Sequence, residues 1–148
     1  MKIAITGGSG FVGRHLAQSL VEKDYEVKLI ARGVNKSDES IIHLKRTFFI
    51  PIGIGDESKL GEAFRDCYAV VHCAGINREI GDQTYQEVHI KGTQNVISAA
   101  RKLECIKLFY SVFYVPDPDA DLDTMNQNGP PKKSSESPVL ILQFLKQV

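Results

Sequence analysis

The 148-residue chain carries 18 basic and 18 acidic side chains and is 43% hydrophobic. It therefore builds a core of single-domain size and projects no field that would gather nucleic acid or anionic lipid. Its apolar runs are short and its first strand starts at Met1, which predicts no signal peptide, no membrane span and a cytoplasmic location. The three cysteines, Cys67, Cys73 and Cys105, lack C-x-x-C spacing and suit reduced thiols better than disulfides or zinc ligands.

Lys2-Ile-Ala-Ile-Thr6 predicts a strand, and Phe11, Val12, Leu16, Leu20 and Val21 recur at helical spacing just beyond it. Between them stands Gly7-Gly-Ser-Gly-Phe-Val-Gly13. A pyrophosphate approaches a strand-to-helix turn closely only where Cβ atoms are missing and the first N–H groups of the helix face it. Gly7 is assigned to the tight turn, Gly10 to the phosphate approach and Gly13 to helix-sheet packing. Ser9 offers a hydroxyl to phosphate, and Phe11 and Val12 of the first helical turn complete this part of the candidate site.

A second strand is predicted over Glu26–Ala31 and a third over Thr47–Ile52, with Pro51 at its end. Glu57 to Asp66 has helical spacing, Tyr68–Cys73 reads as a buried strand, and Thr84 to Lys102 as one long amphipathic helix. Strands alternating with helices imply an α/β fold with a doubly wound parallel sheet of order 3-2-1-4-5 and right-handed crossovers. Where this fold binds NAD, an acidic side chain usually ends the second strand and meets the ribose 2′-hydroxyl. Here the position holds Arg32, which suits the 2′-phosphate of NADP instead, with Arg14 in support. NADP is favoured as cofactor and NAD is the alternative.

Composition changes near residue 103. Eleven of the 12 glycines lie at or before Gly92, and five of the six prolines lie between Pro116 and Pro138. Ile106–Val115 suits a fifth strand, Pro116 to Ser137 reads as disordered, and Val139 to Leu145 is apolar enough to return to the sheet as strand or helix. The predicted division is a Rossmann domain over 1–102, truncated after four or five strands, and a divergent tail over 103–148. Asp117, Asp119, Asp121 and Asp123 alternate as in a calcium loop, but Leu122 and Asn128 stand where Gly and Glu are required. The four histidines have no metal-ligand spacing, and His72 reads as a buried strand residue.

Thr6–Gly13, Gly55-Asp56, His72-Cys-Ala-Gly75 and Gly92-Thr-Gln-Asn-Val96 together resemble the extended and atypical short-chain dehydrogenase/reductases. Within these, the chain is similar to the NAD-dependent epimerase/dehydratase group and to the accessory NAD(P)H-binding subunit of respiratory complex I. The resemblance implies that Asp56 caps the adenine amino group and that the backbone of Cys73, Ala74 and Gly75 passes the adenosine ribose. It also implies either hydride-transfer chemistry or, as in an accessory subunit, nucleotide sensing or assembly without turnover. His89 replaces the Asn of the family's V-N-x-x-G-T segment and reads as a helix-surface histidine.

The family pattern also has a Tyr followed four residues later by Lys, for proton transfer. No tyrosine of this chain has that partner: Leu29, His72, His89, Tyr114 and Pro118 occupy the positions. Reading each codon's last base with the first two of the next, Asp123 to Gly129 permits Tyr-His-Glu-Ser-Lys-Trp, with the Glu forced by Met125 and Asn126. The same frame permits Ala-Gly-Val across Lys102–Cys105 and Ala-Gly-Leu-Asp-Phe-Thr-Val-Leu-Lys-Ala-Gly from Ser137 to Val148. These strings predict that a base was lost near the Lys102 codon, leaving 103–148 out of frame and the chain without catalysis; a natural divergent tail is the alternative.

Overall fold

A computed structural model describes residues 1–33, 43–102, 107–114 and 139–145, the last two stretches as backbone. Its elements are β1 (Lys2–Thr6), α1 (Phe11–Glu22), β2 (Glu26–Ile30), β3 (Thr47–Ile50), α2 (Glu57–Phe64), β4 (Cys67–His72), α3 (Gly92–Lys102), β5 (Lys107–Tyr114) and β6 (Val139–Leu145). They form one sheet of order β3-β2-β1-β4-β5-β6. β1 through β5 are parallel, and β6 returns antiparallel to β5, Leu108 opposite Leu145. The predicted order holds, and Val139–Leu145 takes the strand alternative. The disorder expected over 116–137 lies outside the described residues.

Alternation along the strands assigns the two faces of the sheet. Ala4, Ile30 and Val70 face one way, against Leu60, Ala63 and Phe64 of α2 and Val96, Ala99 and Ala100 of α3. Ile3, Ile5, Val27, Leu29 and Ala69 face the other way, against Ala17 of α1, with Leu16, Leu20 and Val21 beside it. Both faces of the central strands are covered, as a parallel sheet requires.

Local chemistry sets the element ends. α1 stops at Lys23, and Asp24 takes a positive φ of 64° before the chain enters β2. At the end of α2, Lys28 crosses from β2 and donates to the carbonyls of Ala63 (3.0 Å) and Arg65 (2.7 Å), acceptors that the helix itself leaves unpaired.

The expected single helix over 84–102 is corrected in one respect. A π-helical turn, Gln86–Lys91, precedes α3. Val88, Gly92, Val96, Ala99 and Ala100 have a spacing that an α-helix satisfies, so the apolar period conceals the wider turn. Its surroundings are tertiary: His89 reaches across to the backbone of Ile76, and Gly92 lies flat on Ile54, whose Cγ1 would be 2.7 Å from any Cβ at position 92.

Phe64 is fully buried between α2, α3 and the sheet. Phe64→Ala is expected to lower unfolding free energy by about 3–5 kcal/mol in urea denaturation, the usual cost of emptying an aromatic core site. Phe48→Ala, on the half-exposed edge strand, is expected to cost less than half as much.

Candidate functional site

The glycine turn joins three elements at the C-terminal edge of the sheet. Gly7 has a φ of +70°, and a Cβ there would sit 2.7 Å from Ala74 N and Cα and 2.8 Å from the carbonyl carbon of Cys73. Its N–H donates to Ile30 O (2.8 Å), tying the turn to the end of β2. A Cβ at Gly13 would overlap Gly7 O and lie 2.8 Å from Gly8 Cα. Two glycines thus let α1 and the segment leaving β4 touch the same turn.

Gly10 differs from both. A Cβ there would meet Gly7 O alone, at 3.2 Å, so its other side is open. It is the N-cap of α1, with no side-chain cap, and the first turn contains no acidic residue. The N-terminus of α1, where Phe11, Val12 and Gly13 start the helix, therefore keeps its positive end for an external anion. Phe11 is 71% exposed, with its ring edge-on to His15 at 4.8 Å and the Arg14 guanidinium over it at 5.4 Å. Ser9 has another occupation than the phosphate contact expected of it, because its hydroxyl donates to Gly33 O (2.9 Å) beyond β2.

Arg32 lies at the end of β2 as expected. Its Nη2 donates to Gln83 Oε1 at 2.7 Å, and its stem crosses Gly53, where a Cβ would lie 3.2 Å from Arg32 Cγ. Asp56 caps α2: one carboxylate oxygen accepts from Lys59 N–H (3.1 Å) and the other pairs with Lys59 Nζ (3.3 Å). The Lys59 backbone N–H first, then its side chain, holds this carboxyl below the usual aspartate range.

Behind the turn, Thr6 Oγ1 and His72 Nδ1 are 2.5 Å apart, and His72 Nε2 is 3.1 Å from Thr93 Oγ1. Burial pushes the His72 pKa down to about 4, with His89 as a second cause. The ring is consequently neutral, donating through one nitrogen and accepting through the other. Burial likewise pushes the Cys73 thiol up to about 11, so it is not a ready nucleophile.

His89 is more than a helix-surface residue. Its Nε2 lies 2.9 Å from Ile76 O and 3.3 Å from Ile76 N, and its Cε1 would be 3.0 Å from a Cβ at Gly75. It closes over the segment that follows Cys73 and Ala74. Asn95 Nδ2 donates to Ile54 O (3.0 Å), so Gly92 and Asn95 hold the segment after β3 while Thr93 meets His72 at the end of β4. Sequence reasoning missed Gln83, which sits in a polar stretch with no motif, and the cap role of Asp56, which its place directly ahead of Glu57 signals.

A parallel sheet of this order, a glycine turn at the end of β1 and an uncapped α1 define the Rossmann class, as built by the extended short-chain dehydrogenase/reductases. Residues 4–125 match the 3-beta hydroxysteroid dehydrogenase/isomerase family, and the chain belongs to it. It is 29% identical over 112 residues to the UDP-glucose 4-epimerase uge1 of Schizosaccharomyces pombe, covering 68% of this chain and 31% of that one. It is 33% identical over 108 residues to the UDP-N-acetyl-alpha-D-glucosaminuronate decarboxylase of Bacillus cytotoxicus, covering 66% and 32%. The chain thus spans about a third of these two relatives. Among solved structures, Bordetella bronchiseptica WbmG in complex with NAD aligns with a TM-score of 0.62 at 25% identity, over 73% of this chain and 36% of that one. UDP-glucose 4-epimerase from Bifidobacterium longum, in complex with NAD+ and UDP, aligns at 0.65 and 20% identity over 76% and 37%, a likeness of fold. No helix among the described residues is long and apolar enough to cross a membrane.

The neutral His72 sets a pH dependence of stability. Its pKa is about 4 in the folded chain against an ordinary value of 6.5, so the unfolded chain binds the extra proton between these values. The contribution is complete above pH 6.5 and is lost as pH falls toward 4, about 3 kcal/mol in all. Thermal unfolding from pH 8 to 4 is expected to show this slope in the wild type and a flatter one in His72→Gln.

Proposed function

We propose that this chain binds a nicotinamide dinucleotide across the end of β1, with NADP(H) preferred over NAD(H). The observation that carries the reading is the open side of Gly10 at an uncapped helix N-terminus, a cradle that a Cβ would narrow and an acidic first turn would oppose. Gly7 and Gly13 make the approach, the first-turn backbone of Phe11 and Val12 faces the pyrophosphate, and Arg14 adds charge beside it. Cys73, Ala74 and Gly75 flank the adenosine ribose, and Asp56 takes the adenine edge with a carboxylate that Lys59 keeps ionised. Ser9 supports the cradle through Gly33. Arg32 selects the 2′-phosphate, since a guanidinium pairs with phosphate and offers no acceptor to a free hydroxyl.

When bound, the dinucleotide supplies hydride transfer at its nicotinamide ring. The family's proton-transferring Tyr and Lys pair does not occur in these 148 residues. Nucleotide binding is the activity proposed for these residues, with a nucleotide-sensing or assembly module as the second reading. The out-of-frame reading of 103–148 accounts for the missing pair, although the family match runs to residue 125. Codons spelling Tyr-His-Glu-Ser-Lys in the shifted frame from Asp123 to Asn128 would establish it, and any other spelling would end it.

Titration with NADPH and NADH tests the binding. Wild type is expected to bind NADPH at least about tenfold more tightly, the difference one charge-assisted contact can supply. Arg32→Asp is expected to lose NADPH affinity while retaining NADH, and equal wild-type affinity for the two would refute the Arg32 assignment. A restored-frame protein that reduces or epimerises no carbonyl or nucleotide-sugar substrate would favour the sensing role.

A further inference from the structure

We propose that Gln83 is a positioning residue for cofactor choice, fixing the Arg32 guanidinium as a preformed receptor for a 2′-phosphate. The inference rests on the dinucleotide reading above and adds a residue from a segment distant in sequence. Arg32 is exposed, and an exposed arginine ordinarily samples many rotamers, which binding must freeze. Here the side chain is constrained at two points. Its stem lies across Gly53, where the missing Cβ leaves the path free, and its Nη2 is held by Gln83 Oε1 at 2.7 Å.

Gln83 is itself rigidly mounted. Its N–H donates to Ile80 O (3.1 Å) and its carbonyl accepts from Ile80 N–H (3.2 Å), closing a tight turn in which Gly81 takes a φ of +57°. On the far side, Tyr85 N–H donates to Glu79 Oε1 (2.8 Å) and the Tyr85 hydroxyl to Asn77 O (2.9 Å). The Gln83 amide oxygen is therefore presented from a braced turn. A neutral acceptor is the suitable partner: it orients the guanidinium, leaves its charge uncompensated and leaves its other N–H donors for a phosphate. A carboxylate in its place would neutralise that charge and repel the ligand.

The ligands for the test are 2′,5′-ADP and 5′-AMP, which differ by the 2′-phosphate and require no turnover, titrated calorimetrically against the full chain and its variants. Q83M, which keeps length and removes the acceptor, is expected to weaken 2′,5′-ADP by about threefold to tenfold, the cost of ordering one long side chain. Q83E is expected to weaken it by more than about tenfold, through added like charge. Neither variant is expected to change 5′-AMP affinity or the thermal midpoint by a comparable amount. In R32M the further change Q83M is expected to have no effect, since Gln83 acts through Arg32.

If wild type binds neither nucleotide, the dinucleotide reading fails and this inference with it. If it binds both equally, the Arg32 assignment and this inference fail while the cradle stands. If it prefers 2′,5′-ADP and Q83M and Q83E keep that preference, or lose both ligands alike, the role of Gln83 alone is overturned.

Discussion

The architecture depends on one close approach, between Gly7 and the backbone of Cys73 and Ala74, with Gly13 against the other side of the same turn. Three chain segments meet where no side chain fits. Because Gly7 N–H is also bound to Ile30 O, the ends of β1, β2 and β4 and the start of α1 share a single fixed reference. The sheet-end position at which a doubly wound fold takes its ligand is consequently rigid before any ligand arrives. A side chain at position 7 would meet two penalties, a left-handed backbone and a backbone collision.

A second constraint lies one layer deeper. The Thr6–His72–Thr93 chain joins β1, β4 and α3 by a neutral imidazole, with Asn95 and Gly92 fastening α3 to the segment after β3. Gly92, Thr93, Asn95 and Val96 of the Gly92-Thr-Gln-Asn-Val96 motif are thus explained as anchorage. Val96 fills the core, and Ser98 and Lys102 farther along α3 hold Glu57 of α2, with Lys102 first and Ser98 second in keeping its carboxyl low. The cradle rests on helices locked to the sheet by polar contacts as well as by burial.

These relations explain what was legible from sequence. The glycines at 7, 10 and 13 and the strand order were readable because they follow from local periodicity and from where backbone excludes side chains. The π-helical turn before α3 was not, since Val88, Gly92 and Val96 satisfy an ordinary helical period. His89 and Gln83 were unreadable for a different reason: each works on a residue brought near by the fold, Ile76 and Arg32, and neither sits in a pattern of its own. Ser9 and Asp56 carry a second duty that the motif does not announce, holding Gly33 and the start of α2.

Thr6 and His72 are 66 residues apart, yet their contact sits directly beneath the glycine turn. Loop-closure entropy makes so distant a pairing late relative to the neighbouring β1, α1 and β2 contacts. The turn acquires its final neighbours Cys73 and Ala74 only when β4 has inserted beside β1. The glycine turn is therefore complete only when strands 66 residues apart at this contact have paired, so the sheet end is a property of the whole β1–β4 core and not of β1 and α1 alone.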